Sequence, residues 1–238
     1  RRLGWDDGPG RPRRMARLVE VMAPEDPEEH AGFRDGVARF DFTPMTGDLQ
    51  GYHWDFPGYV AGRPASNTGV FDSRVARDRP RAKVKDILRA ALRTRGRDLD
   101  DRAVEGWPIR EYHPSVEVSR PRVLLAGDAA GADPLFGEGI SFALGFGDVA
   151  AAALVDGFAA GDLSFSDYRR RIHRHWLLRQ LPWRSRAARA AYRLNHPAVV
   201  RFGWRVADRV VRLTPWRDPT FVPAEPVRRP VPAASRRG

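Results

Sequence analysis

The stretch RVLLAGDAAGADPLFGEGISFALGFG, Arg122 to Gly147, constrains the fold more than any other part of the chain. Apolar Val123 to Ala126 lead into Gly127-Asp128. Pro134 follows, Gly137 and Gly139 bracket Glu138, and small and apolar residues dominate as far as Gly161. A short apolar run of this kind predicts a strand buried on both faces, inside a parallel sheet. The segment from Ile140 to about Ala160 predicts a helix closed by Gly161. Asp128 then falls at the carboxyl end of the strand, where open α/β sheets bind ligands. Gly137 and Gly139 let a ligand approach the backbone closely, and the helix turns its N-terminal N–H groups toward it. A Gly-Asp pair by itself is more often a turn or a helix cap; the whole string is far more specific.

The remaining pattern is of mixed type. GVARFDF (36–42) alternates with period two, YHWDF (52–56) reads as a second strand ended by Pro57, and SNTGVFDS (66–73) as a third. Residues 80–95 carry Val84, Ile87, Leu88, Ala91 and Leu92 at helical spacing, with Pro80 opening the helix and Gly96 closing it. Residues 1–30 read as a basic and then acidic stretch ending in a loop, APEDPEE. EGWPIREY and VEVS are extended. Beyond residue 161 come about three basic helices broken at Pro182 and Pro197, then an irregular tail from Pro215. The expected class is α/β (α+β): part of a Rossmann-like domain, an antiparallel-sheet domain and C-terminal helices. The expected segments are 1–118 (sheet and helix), 119–160 (strand, loop and helix) and 161–238 (basic helices and tail).

Composition excludes several chemistries. Cysteine is absent, so there is no disulfide, thiol nucleophile or cysteine metal site. His173 and His175 stand two apart on a helix and do not share a face, so no metal is expected. There is no run of eighteen apolar residues, and a cytoplasmic location is compatible with all of this. Net charge is +11, yet of 41 basic residues only Lys83 and Lys85 are lysines. So strong an arginine skew, with heavy alanine and proline use, reads as GC-rich coding, and nucleic acid is not the expected partner.

The string Gly127-Asp128-Ala129, Pro134, Gly137-x-Gly139-Ile140 closely resembles the second FAD motif of the flavoprotein monooxygenase and geranylgeranyl reductase superfamily, whose fold is like that of p-hydroxybenzoate hydroxylase. The resemblance implies that Asp128 binds the ribityl chain of FAD and that Pro134, Gly137, Gly139 and Ile140 line the isoalloxazine. It covers about residues 1–160. No Gly-x-Gly-x-x-Gly loop for the pyrophosphate occurs in the chain; GPGRPR at Gly8 has Arg13 in the third place. RRLG, Arg1 to Gly4, looks like the end of the superfamily's middle motif. The expectation is the C-terminal part of a longer flavoenzyme, with strand edges left open and FAD held poorly or not at all by this part alone.

Tyr52, Trp54 and Phe56 alternate onto one face of a strand and Pro57 follows. An aromatic strip is ordinarily core, but GYHWDFPGY also resembles the Tyr-x-Trp-x-Phe-Pro motif of geranylgeranyl reductases, which lies in their substrate domain. A later Gly-x-Gly of those reductases is replaced here by NTGVFD. GWPIR (106–110) takes the place of a strand whose proline lies near the flavin. The resemblance implies an FAD-dependent oxidoreductase that reduces carbon–carbon double bonds of a small apolar substrate, with NAD(P)H or another electron donor and the flavin carrying the chemistry. Two alternatives stand: a flavin monooxygenase or halogenase, and a non-enzymatic or membrane-surface protein. His53 and Asp55 read as a solvated strand face. The C-terminal basic helices read as a cap on the sheet, with peripheral membrane contact as the other use.

Overall fold

A computed structural model describes residues 14–194 and 196–213; the RRLG and GPGRPR segments and the tail from Pro215 lie outside them. The elements run β1 (Met15–Pro24), α1 (Ala31–Asp35), β2 (Arg39–Asp41), β3 (Gly51–Val60), β4 (Arg63–Asp72), α2 (Val84–Arg93) and β5 (Glu105–Arg110). They continue with β6 (Ser119–Arg120), β7 (Val123–Leu124), α3 (Ile140–Ala160), α4 (Tyr168–Arg174), α5 (Leu181–Ala191) and α6 (Pro197–Leu213). The chain divides into two compact units at Val200/Arg201.

Five strands form an antiparallel sheet in the order β2-β3-β4-β1-β5. β3 and β4 form a hairpin whose two-residue turn, Ala61-Gly62, has both φ angles positive (49° and 77°), as the twist of a tight hairpin requires. β3 runs on through Pro57 to Val60 instead of stopping there, with Pro57 opposite Ser66. β2 pairs only as far as Asp55, so Pro57 lies where β3 has a single neighbouring strand. β1, in the part of residues 1–30 to which the sequence pattern assigns no strand, has a neighbouring strand on each side. Its Val19, Val21 and Ala23 are buried, and its other face carries Leu18 and Glu20, half-buried.

α2 begins at Val84, later than Pro80, and lays Val84, Leu88 and Leu92 on Val19, Val21, Leu49 and Val70. Fully burying a leucine such as Leu88 contributes about 1.5–3 kcal/mol. A second core forms where Phe142, Phe146, Val149 and Ala153 of α3 meet Tyr168 and Ile172 of α4. α3 ends as the sequence predicts, on Gly161 at φ 67°. It is the one described helix long and apolar enough to cross a membrane, by length and composition alone. Pro182 and Pro197 sit in the first turns of α5 and α6, so they open helices.

The expected parallel strand is a correction. β7 has two residues, half-buried, and pairs only with β6, antiparallel. Among the described residues the parallel contact is a single bridge, Glu111 to Ala132. Without flanking strands the apolar run has nothing on which to extend its ladder. The result is a mixed α/β fold with an antiparallel sheet and C-terminal helices.

Candidate functional site

The loop between β7 and α3 is held against the sheet from several directions. Gly127 has φ 54° and opens a 3₁₀ turn through Asp128 and Ala129. At Gly131 (φ 121°) a Cβ would come within 2.6 Å of Tyr112 Cα, so the loop can pass here only without a side chain. Asp133, buried, accepts from the N–H groups of Leu135 and Phe136, both at 3.0 Å. Arg184 of α5 pairs with that carboxylate at 2.6 Å, and its guanidinium lies 5.5 and 5.4 Å from the Phe136 and Phe142 ring centroids.

Three successive carbonyls of this loop are met by hydroxyls from three elements. Ser73 donates to Pro134 O, Tyr192 to Leu135 O, and Tyr52 to Phe136 O at 2.7 Å. Burial pushes the Tyr52 hydroxyl up to about 12, helped by the charges of Asp133 and Glu138, so it stays a donor. These interactions set the loop down on Phe71. A Cβ on Gly137 (φ 65°) would lie 2.7 Å from the Phe71 ring.

A cavity of about 1040 Å³ opens between loop and sheet. Asp128, Gly137, Gly139 and Ile140 line its loop side; Tyr52, Trp54 and Phe56 line its sheet side. The two motifs, some 70 residues apart in sequence, thus share one space. Asp128 is exposed, and its Oδ1 lies 3.4 Å from where a Cβ on Gly139 would stand, beside the first turn of α3. This end offers a carboxylate, bare backbone and unpaired helix N–H groups to a flat polar edge. The sheet end offers aromatic faces: Phe40 meets Phe56 and Tyr52 edge-on at 5.0 and 5.4 Å.

Other expected residues fall elsewhere. Gly127, Ala129 and Pro134 support the loop from behind; Pro134 is buried, and Ala129 O accepts from Arg110 at 2.9 Å. Pro57 alternates onto the opposite face with His53 and Asp55. From the GWPIR strand, Ile109 and not Pro108 reaches the cavity. His173 bonds the Tyr112 hydroxyl at 3.0 Å.

His53 and Asp55 are buried, a correction to the solvated face expected of them. Asp55 pairs with Arg95, lies 3.2 Å from His30 Nε2, and accepts from Ser66 at 2.8 Å. Burial alone would raise its pKa; the hydrogen bonds from Arg95 and Ser66 outweigh that and hold it below the usual carboxylate range. A smaller cavity of about 360 Å³ lies beside this cluster, and Glu25 on its wall pairs with Arg97 at 3.0 Å. These charges are committed to one another.

Residues the sequence reading passed over include Ser73, Asp133, Arg184 and Tyr192. An aspartate just before Pro134 is a legible turn signal. Their partners across the fold, 51 to 61 residues away, leave no local trace.

No protein-family model matches the sequence, and no curated protein does. Among solved structures, a geranylgeranyl bacteriochlorophyll reductase-like protein from Thermoplasma acidophilum superposes with a TM-score of 0.56 at 17% identity. The match covers 78% of this chain and 44% of that one, so the chain spans less than half the length of that protein. Over that shared part, this chain has the fold of a reductase-like protein.

Proposed function

We propose that this chain supplies the isoalloxazine and ribityl side of the flavin site, and the substrate wall, of an FAD-dependent oxidoreductase of the geranylgeranyl reductase type. The observation that carries the reading is the shared cavity: Asp128 and the glycine-bracketed helix start face the Tyr52–Trp54–Phe56 strip across one space. Its residues fit the group. Gly139 leaves the backbone bare beside Asp128, and a carboxylate there suits ribityl hydroxyls. Bound FAD, reduced by NAD(P)H or another donor, would supply the hydride for a carbon–carbon double bond. The chain's own residues bind and orient: the aromatic wall accepts an apolar, isoprenoid-like substrate without demanding polar partners, and the anchored loop fixes where the ring lies.

FAD titration of wild type and Asp128→Ala tests this. Saturable binding is expected in the wild type, weakened about tenfold or more in the variant, the worth of a charge-assisted hydrogen bond. Asp128 is exposed, so its melting temperature should hardly move. Equal affinity in both would overturn the assignment.

We further propose that the protein is cytoplasmic and touches a membrane surface through α6. Val199, Phe202, Val206 and Leu213 share one exposed side of that helix, and Arg201, Arg205, Arg209 and Arg212 run along its flank. Flotation with anionic but not neutral vesicles is expected; flotation with neither sinks this part.

A further inference from the structure

The cavity's sheet wall is aromatic and aliphatic except at one place. There Trp54 Nε1 donates to Asn67 Oδ1 at 2.6 Å, and Asn67 Nδ2 donates to Glu20 Oε2 at 3.2 Å. The direction of this chain is fixed by chemistry. An indole N–H can only donate, so Asn67 must present its oxygen to Trp54 and its amino group to Glu20. The array therefore ends on a carboxylate, half-buried, that can only accept.

Gly69 makes the array possible. It stands opposite both Trp54 and Glu20 in the sheet, and a Cβ there would lie 2.3 Å from the indole and 2.5 Å from Val19 O. The vacated position lets the indole lie across β4 and reach Asn67. Glu105 of β5 faces Glu20 directly across the strands, which adds a second negative charge on that side. Gly137 packs on Phe71, which stands opposite Leu18, two residues before Glu20 on β1. Glu20 is therefore one side-chain row, about 7 Å, from the loop end of the cavity.

We infer that Glu20, oriented by Asn67 and Trp54, is the head-group determinant of the substrate: an apolar molecule with a hydrogen-bond-donating head, an alcohol or amine, and not a phosphate or carboxylate. The inference rests on the substrate reading of this cavity given above. A donating head completes the array at Glu20, whereas an anionic head would meet the Glu20 carboxylate, with the Glu105 charge beside it.

Equilibrium dialysis of the 238-residue chain against farnesol, farnesylamine and farnesyl diphosphate tests it. Alcohol and amine are expected to bind about tenfold or more tighter than the diphosphate, the scale of one charge-assisted hydrogen bond. Glu20→Gln should weaken the amine most, and Glu20→Lys should reverse the order in favour of the diphosphate. The inference is overturned if the wild type prefers the diphosphate, if the ranking survives Glu20→Lys, or if no probe binds. FAD retention measured on the same preparations separates the two readings. The expected ranking without flavin binding would leave the head-group inference standing and count against this chain's share of the flavin site; flavin binding with the wrong ranking would do the reverse.

Discussion

The two faces of the five-stranded sheet are built from alternate residues of the same strands, yet they do different work. On the α2 face, Val19, Val21 and Val70 are sealed under Leu88 and Leu92, and the polar His53 and Asp55 are neutralised by Arg95, His30, Thr68 and Ser66. On the other face, Tyr52, Trp54 and Phe71 form the wall of an open cavity. The buried face satisfies most of its charge internally: Asp55 is held by Arg95, His30 and Ser66, and Asp72 by Arg17. The cavity face leaves aromatic edges and the Glu20 carboxylate lining open space.

That contrast can be broken by experiment. The largest effect is expected at Asp55→Ala, which strands Arg95 and should cost about 3 to 5 kcal/mol in urea denaturation. The protein that remains folded should bind farnesol as the wild type does; weakened binding there would mean that the faces are not independent. Glu111, buried at the seam between β5 and the loop, probes the joint between them. Burial pushes its carboxyl up to about 7, against the opposing charges of Arg77 and Arg14 and a 3.4 Å contact with the Ser73 hydroxyl. With its folded pKa raised, its contribution to stability is full below about pH 4.5 and lost as pH rises through about 7, on the order of 3 kcal/mol. The difference between wild type and Glu111→Gln in denaturation across that range should have this sign. His53, held below its usual value by burial and Arg95, acts oppositely below about pH 6.5 in both proteins and cancels. Smallest in stability, Gly69→Ala should cost about 1–3 kcal/mol by crowding Trp54, while weakening probe binding on the cavity face.

What could be read from the chain depends on how local the cause is. α3 was legible to its last residue because small residues, apolar spacing and Gly161 all lie within it. The alternation of Tyr52, Trp54 and Phe56 against His53 and Asp55 was legible too, but not which face faces water. The partners of Asp55 that decide this are His30 and Arg95, the latter 40 residues away. β1 escaped notice because a strand in the middle of a sheet carries apolar residues on both faces, so Met15–Pro24 shows no clean alternation. Val123 to Ala126 misled in the opposite sense: the composition of a buried strand does not supply neighbours to pair with. The cavity's polar array, Glu20, Asn67 and Trp54, draws one residue from each of three strands and exists only once their register is set.

That shared register also governs how this protein can evolve. Adding or deleting one residue within β3 would turn Trp54 toward the Arg95 cluster and swing a charged neighbour into the cavity, damaging both faces in one step. Changes in ligand preference must therefore come by replacing side chains in place, while changes in length are confined to connections such as the Ala61-Gly62 turn, which both faces tolerate alike.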